Sequence, residues 1–418
     1  MKSTTTRAYH LALILGTTGA LALSACSGGG GFQQPPATQG AATGPVSLKL
    51  MIGSSGDAET NSVKAAVDAW SQKSGNKVEV VPAADLSQQL GQAFAGGNPP
   101  DVFYTGAEHM GDYAKAGYLY PYGDQVKDAG FLQPLVASFT AGGKFYCAPK
   151  DYSTLALVIN SDMWTKAGLT DADIPKDWAG LETVSKKLTS GNVTGLVISG
   201  EWARIGAFAK QAGGWVVSAD GKKVTADSPE MLAGLQEAQK LLQSGSMKFA
   251  KQVDAGWGGE AIGKGKAAMT IEGNWLRGGL KKDYPDVKVK VVELPTGPKG
   301  KGTLAFTNCW GVAAKSKNQA ASVDLIKSLI TVDQQLAFAK DFGVMPSTKT
   351  GADKFATAYP DDAAFAKGGD YSQGPVNLPG FDPVMKAFNS KLEQLATGDP
   401  KAALAELQKN AEAALKEG

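Results

Sequence analysis

Residues 143–164, GKFYCAPKDYSTLALVINSDMW, constrain this chain more than any other stretch. Asp151 stands just ahead of an unbroken run of five apolar residues at 155–159, and Asn160 closes that run before a helix begins around 162–164. The run is too short to cross a bilayer. It suits a strand buried on both faces, as in a parallel sheet. A carboxylate and two tyrosines, Tyr146 and Tyr152, beside such a strand point to a chain leaving one folded body and entering another, with a cleft at the crossing. The competing reading is an ordinary loop entering a strand.

At 418 residues the chain exceeds one typical core, so two domains are expected. The first residues stand apart from both. Lys2 and Arg7 precede an apolar stretch at 11–23 that runs into Leu23, Ser24, Ala25 and Cys26. A positive start, an apolar core and small residues mark an export signal over 1–25. The LSAC ending resembles the bacterial lipoprotein signal, cut before the cysteine, which makes Cys26 the expected lipidation site. A plain secretory signal is the alternative. Removing Lys2 and Arg7 from the 42 basic residues leaves 40 against 40 acidic ones, so neither nucleic acid nor an anionic surface is indicated as a partner. Residues 26–45 are low in complexity and form no core. A flexible chain of this length reaches roughly 24 Å, which suits a tether. Cys147 and Cys309 then remain, 162 positions apart. In an oxidising space such a pair is expected to be bridged, joining two passes of the chain near a common junction. Two buried free thiols are the alternative.

The body begins with a β-α-β-α-β series. Residues 46–52, 77–81 and 101–104 read as strands, and 58–74 and 86–95 as helices, the first with Asp57 placed to cap it. Such a series implies a parallel sheet with right-handed crossovers, and ligands there sit beyond the carboxyl ends of strands. Ser54, Ser55, Tyr104, Thr105 and Glu108 stand at such ends. Past 164 the pattern repeats. Helices are expected at 181–188 and 204–212, and a strand at 195–199 with Trp202 directly after it. A longer helix opens at Ser228 and Pro229, a turn at 256–259 contains Trp257, and Asn274 and Trp275 follow a strand. Residues 304–314, carrying Cys309 and Trp310, form a second crossing, and 342–347 a third short extended piece. From 361 the chain is mostly helical, with Leu404, Leu407, Ala411 and Ala414 on one face of the last helix. Crossings near 151, 300 and 343 imply two α/β lobes around a hinged cleft.

Histidine content decides much of the chemistry. Without the export signal only His109 remains, which excludes a two-histidine metal site and HExxH. No GxSxG elbow, CxxC or phosphate loop is present. Asp151, Glu201 and Glu272 flank strand ends, and a glycosidase needs only two carboxylates. Solvated or hydrogen-bonded carboxylates are the plainer reading. Tyr104, Tyr152, Trp202, Trp257, Trp275 and Trp310 all fall in or beside turns and crossings rather than in helical stripes. Flat aromatic faces of this kind suit the apolar face of a pyranose ring. Core packing is the alternative for each of them singly. Arg204 and Arg277 are the arginines left beyond the signal, so bidentate phosphate recognition is not favoured.

GGNPPDVF (96–103), YCAPKDYSTLALVINSDMW (146–164), GKAAMTIEGNW (265–275), LPTGP (294–298), NCWGVAAKSKN (308–318) and GVMPS (343–347) resemble, in order and spacing, the family-1 extracellular solute-binding proteins of ABC importers, the maltose- and oligosaccharide-binding type. The resemblance runs from about 46 to the C-terminus. It implies the two-lobed type II periplasmic-binding-protein fold, with parallel-sheet lobes and a multi-crossing hinge: lobe 1 over 46–151 and 303–343, lobe 2 over 152–302 and 344–418. It also implies capture of a neutral di- or oligosaccharide, delivery to a membrane permease, no catalysis and no cofactor. The expected state is a monomer held by Cys26 on the extracellular face of the membrane. Trp275 matches the family's stacking tryptophan and Asp151 its hinge-proximal acidic residue; Tyr104 and Glu108 match less closely. Trp257 and Trp310 have no firm counterpart, and the two later cysteines are absent from the best-known maltose-binding members, which suggests a sub-branch. The candidate ligand-binding set is Ser54, Ser55, Tyr104, Glu108, Asp151, Tyr152, Trp202, Trp257, Asn274, Trp275 and Trp310. The same fold binding a polyol, a glycerol phosphate or a peptide is one alternative, and an exported glycoside hydrolase another.

Overall fold

The alternation at the start of the body becomes β1 (Ser47–Ile52), whose Leu48, Leu50 and Ile52 are buried. The computed structural model describes residues 44–54 and 56–417. The export signal, the tether, Cys26 and Ser55 lie outside the described residues. β2 (Lys77–Pro82) and β3 (Val102–Gly106) follow, each after a helix, Asp57–Ser74 and Leu86–Ala95. Gly56, not Asp57, is the first helix's N-cap; Asp57 lies within the first turn, where its charge suits the positive helix end.

A hairpin, β4 (Thr140–Ala141) and β5 (Lys144–Phe145), leads into β6 (Ala148–Pro149), β7 (Ser153–Thr154) and β8 (Ala156–Asn160). Then come β9 (Thr194–Ile198), β10 (Met247–Phe249), β11 (Ala267–Glu272), β12 (Val289–Val292), β13 (Thr303–Phe306), β14 (Asn308–Val312) and β15 (Ser372–Gln373). They form two five-stranded sheets, β2-β1-β3-β14-β6 and β10-β9-β11-β8-β12, one in each lobe, and a small third sheet, β15-β13-β7.

Each large sheet is mixed. β1, β2 and β3 are parallel, as are β9, β10 and β11. β14 is antiparallel to both β3 and β6. The apolar run of β8 is buried at every position, as expected, but its two neighbours β11 and β12 are antiparallel to it. Burial on both faces follows from helices covering the sheet and does not depend on strand direction. The parallel reading is therefore corrected for β8.

The second crossing is two strands, not one. β13 belongs to the small sheet and β14 to the first large sheet, and the chain changes sheets at Thr307. All three crossings lie side by side. Lys150 N–H donates to Asn308 O (2.7 Å), and Tyr152 and Met345 exchange backbone hydrogen bonds at 3.0 and 3.2 Å. Cys147 and Cys309 are bridged, their Cα atoms 5.7 Å apart, where β6 and β14 pair. The disulfide thus joins the first two crossings at their lobe-1 end.

Candidate functional site

Strand ends from both sheets meet at the hinge. β3 runs out into the turn Ala107–His109, β9 into the helix Trp202–Gln211, β11 into the helix Trp275–Asp283, and β13 ends at Phe306. Between them lies a cavity of about 300 Å³ lined by Glu108, Trp202, Trp215, Phe306, Thr307, Asn308, Gln373 and Pro375, floored by Leu304 and Ala305. Three aromatic rings, two amides, a hydroxyl and one carboxylate therefore line one cavity. Trp202 meets Trp215 at 5.4 Å and Phe388 at 5.8 Å between ring centres, and its backbone N–H is held by Asn389 Oδ1 at 2.7 Å. The Glu108 side chain is 49% exposed; His109 Nε2 lies 3.7 Å from its Oε1 and 3.0 Å from Ser87 Oγ.

Trp275 borders this cavity. Its ring stands at 90° to that of Phe306, centres 5.2 Å apart, and at 38% it is the exposed large hydrophobic among the described residues. Behind it, Arg204 Nη2 donates to Glu272 Oε2 at 2.7 Å, and the indole Nε1–H of Trp275 donates to the same oxygen at 3.0 Å. Burial pushes the Glu272 carboxyl above the ordinary range, and the Arg204 guanidinium pulls it back.

A larger groove of about 1220 Å³ shares Trp215, Gln373 and Pro375 with the cavity and continues past Tyr146, Lys210 and the hairpin turn at 142–143. Size alone would favour it. Convergence of strand ends and aromatic faces favours the smaller cavity, because a ligand there meets side chains built on both sheets.

The expected residues divide sharply. Glu108 and Trp202 line the cavity and Trp275 adjoins it. Ser54 stands at the end of β1, but its hydroxyl is held in the turn, donating to Gly56 O (2.6 Å) and accepting from Thr60 Oγ1 (2.8 Å). Tyr104, Tyr152 and Trp310 are corrected: all are essentially unexposed and offer no face to a ligand. Tyr104 and Trp310 are cross-strand partners, rings edge to face at 5.0 Å, because β3 and β14 place both on the core side. Tyr152 donates to Ala366 O at 3.1 Å.

Asp151 is corrected too. It is buried and ion-paired with Lys150, whose ammonium also reaches Glu59 Oε1 at 3.0 Å. Asn274 acts within the hinge: its N–H donates to Ser153 Oγ (3.0 Å) and its Nδ2 to Gly343 O (2.6 Å). Trp257 lies over glycines; a Cβ at Gly259 or Gly279 would come within 2.1 or 3.0 Å of its ring. Its ring therefore packs between the helices Gly258–Gly263 and Trp275–Asp283, and the turn expected at 256–259 is the start of the former.

Trp215, Phe306, Asn308 and Gln373 were not legible as site residues. The one available signal was the polar pair Thr307-Asn308 interrupting an otherwise apolar crossing.

The family described as bacterial extracellular solute-binding protein matches residues 65–367. A binding protein of Brucella abortus is 25% identical over 369 residues, 81% of this chain and 85% of its own length. The diacetylchitobiose-binding protein DasA of Streptomyces coelicolor is 26% identical over 282 residues, 65% of this chain and 66% of that protein. Among solved structures, the GacH receptor of Streptomyces glaucescens, determined unliganded and with acarbose, superposes with a TM-score of 0.75 at 23% identity, covering 89% of this chain and 99% of that one.

Proposed function

This chain belongs to the bacterial extracellular solute-binding protein family, and from that premise we propose that it captures a neutral di- or oligosaccharide between its lobes and delivers it to an ABC permease. The carrying observation is the exposed Trp275 ring set at right angles to Phe306, beside a cavity that combines Trp202 and Trp215 with Glu108, Thr307, Asn308 and Gln373. Aromatic faces take the apolar face of a pyranose; amides and a carboxylate take its hydroxyls. Neutrality is supported by the engagement of both arginines among the described residues, Arg204 with Glu272 and Arg277 with Asp362 at 2.6 Å, which leaves neither free for a phosphate. The naming of DasA for diacetylchitobiose, and the structure of GacH with acarbose, agree with this reading.

Catalysis is not part of the proposal. A glycosidase needs two carboxylates facing the sugar. Here Asp151 and Glu272 are buried in ion pairs, Glu201 stands 3.6 Å from Arg204, and among the described residues Glu108 is the one carboxylate that lines the cavity. The chain works as a monomer, with lobe 1 over 46–151 and 303–343 and lobe 2 over the remainder of the body, tethered through lipidated Cys26. Sugar contacts to both lobes favour the closed form, and the permease reads the matched lobe surfaces of that form.

The test is a thermal-shift series with neutral mono-, di- and oligosaccharides, against polyols, glycerol phosphates and peptides. A ligand at about 100 times its Kd adds about 2.7 kcal/mol to the folded state. A rise confined to one class of sugar supports the proposal. A rise only with a phosphate or peptide overturns the substrate class, and release of reducing ends by the protein alone overturns the receptor reading.

A further inference from the structure

We infer that the buried Arg204–Glu272 pair is a positioning device that holds the Trp275 indole, and with it the corner formed by Trp275 and Phe306, in the geometry that receives the ligand. The inference rests on the proposed role of Trp275 as the sugar-facing ring.

The three residues come from the ends of two paired parallel strands. Arg204 lies in the first turn after β9, Glu272 is the last residue of β11, and Trp275 opens the next helix. The Glu272 side chain has no exposure and that of Arg204 has 9%. One carboxylate oxygen accepts both the guanidinium (2.7 Å) and the indole N–H (3.0 Å). The guanidinium carbon lies 5.2 Å from the centre of the Trp275 ring and 5.9 Å from that of Phe306, so one cation sits against both rings of the corner.

Stability alone does not call for this arrangement. A buried ion pair carries a desolvation cost, and apolar residues of similar volume commonly serve a core as well or better. What apolar residues lack is an acceptor for the indole N–H and a charge against the rings. A partly exposed tryptophan without them would sample several rotamers, and ordering it would weaken binding. Held at its nitrogen, the ring is ordered before the ligand arrives.

The first measurement uses the native protein without ligand. Hydrogen exchange of the Trp275 indole N–H, with its resonance identified through Trp275→Phe, is slow despite the ring's 38% exposure; exchange at the rate of a free indole overturns the inference. The second uses the double variant Arg204→Met/Glu272→Leu, which removes both charges together. Its Trp275 indole resonance shifts and exchanges faster, and its affinity for maltotriose or diacetylchitobiose, by calorimetry, falls about tenfold or more, the scale of a hydrogen bond to a charged group. An unmoved resonance, or affinity within twofold of native for a probe the native protein binds, overturns it. If the native protein binds neither probe, the calorimetry uses the sugar that raises its melting temperature in the thermal-shift series; if no sugar does, the sugar reading falls and indole exchange alone decides the positioning role.

Discussion

The aromatic residues of this chain divide by what their polar atoms meet. Trp275 gives its N–H to a buried carboxylate and leaves its ring partly in solvent, whereas Trp310 and Tyr104 close against each other inside the first lobe. Trp275→Ala should therefore lower sugar affinity by about 1–3 kcal/mol, the scale of lost stacking, with little change in melting temperature. Trp310→Phe should lower the melting temperature and leave affinity unchanged. Calorimetry and thermal melting on the two variants check both halves, and a reversed pattern would exchange their roles. Tyr122 supplies a second residue-scale test. Its hydroxyl donates to Trp310 O at 2.5 Å and accepts from Ala148 N–H at 2.9 Å, both buried. Tyr122→Phe strands a donor and an acceptor and should cost about 1–3 kcal/mol in urea unfolding. Proximity to a turn marked Tyr104, Trp275 and Trp310 alike; the pairing of β3 with β14 turns Tyr104 and Trp310 into the core, while Trp275 opens a helix at the cleft.

Among the elements, the crossings carry the design. β6 with β7, β13 with β14, and the segment around Met345 run side by side, hydrogen-bonded to one another, so the lobes are joined by a strip of backbone and not by one loose linker. Asn274 and Thr307 reinforce it, Thr307 Oγ1 donating to Asp151 O at 2.6 Å. The Cys147–Cys309 bridge closes a loop of 162 residues across two crossings and is fully buried. Denatured, unreduced protein should show no reactive thiol from this pair. Cys147→Ser/Cys309→Ser should lose about 2–5 kcal/mol of stability by chemical denaturation. Both crossings were readable as extended segments beside polar residues. The switch of sheets at Thr307 was not, because a single polar residue in an apolar run also suits an uninterrupted strand.

For the whole molecule, buried titratable groups set how it responds to base. Burial pushes the phenols of Tyr104, Tyr122 and Tyr152 well above the ordinary range. Burial alone would lower Lys150, but Asp151, Tyr104 and Glu59 outweigh it and hold the ammonium above its ordinary value. In the unfolded chain all four release their protons near their ordinary values of about 10, while the folded chain retains them. The unfolded state then binds fewer protons, so stability falls as pH rises from about 10 upward and is fully present below that. Melting temperature should hold between pH 7 and 9 and drop steeply beyond 10. Tyrosinate absorbance from the buried phenols should appear only with unfolding; ionisation of all tyrosines in folded protein at pH 11 would refute this account.

Sequence alone determined the order of strands and helices in the first lobe, the three crossings, and the exclusion of histidine-based metal and triad chemistry. Each rests on a local signal: periodicity, a turn residue, or a residue type too scarce to serve. It left the two later cysteines either bridged or free, and the structure bridges them. Tertiary structure alone decided that β8 runs antiparallel to its neighbours, that Lys150 and its neighbour Asp151 are buried against Glu59, and that Trp215 and Phe306 line the cleft beside Trp275. Those facts depend on which strand lies alongside and which lobe packs opposite. Such contacts join residues up to a hundred or more positions apart, and no local pattern in the chain encodes them.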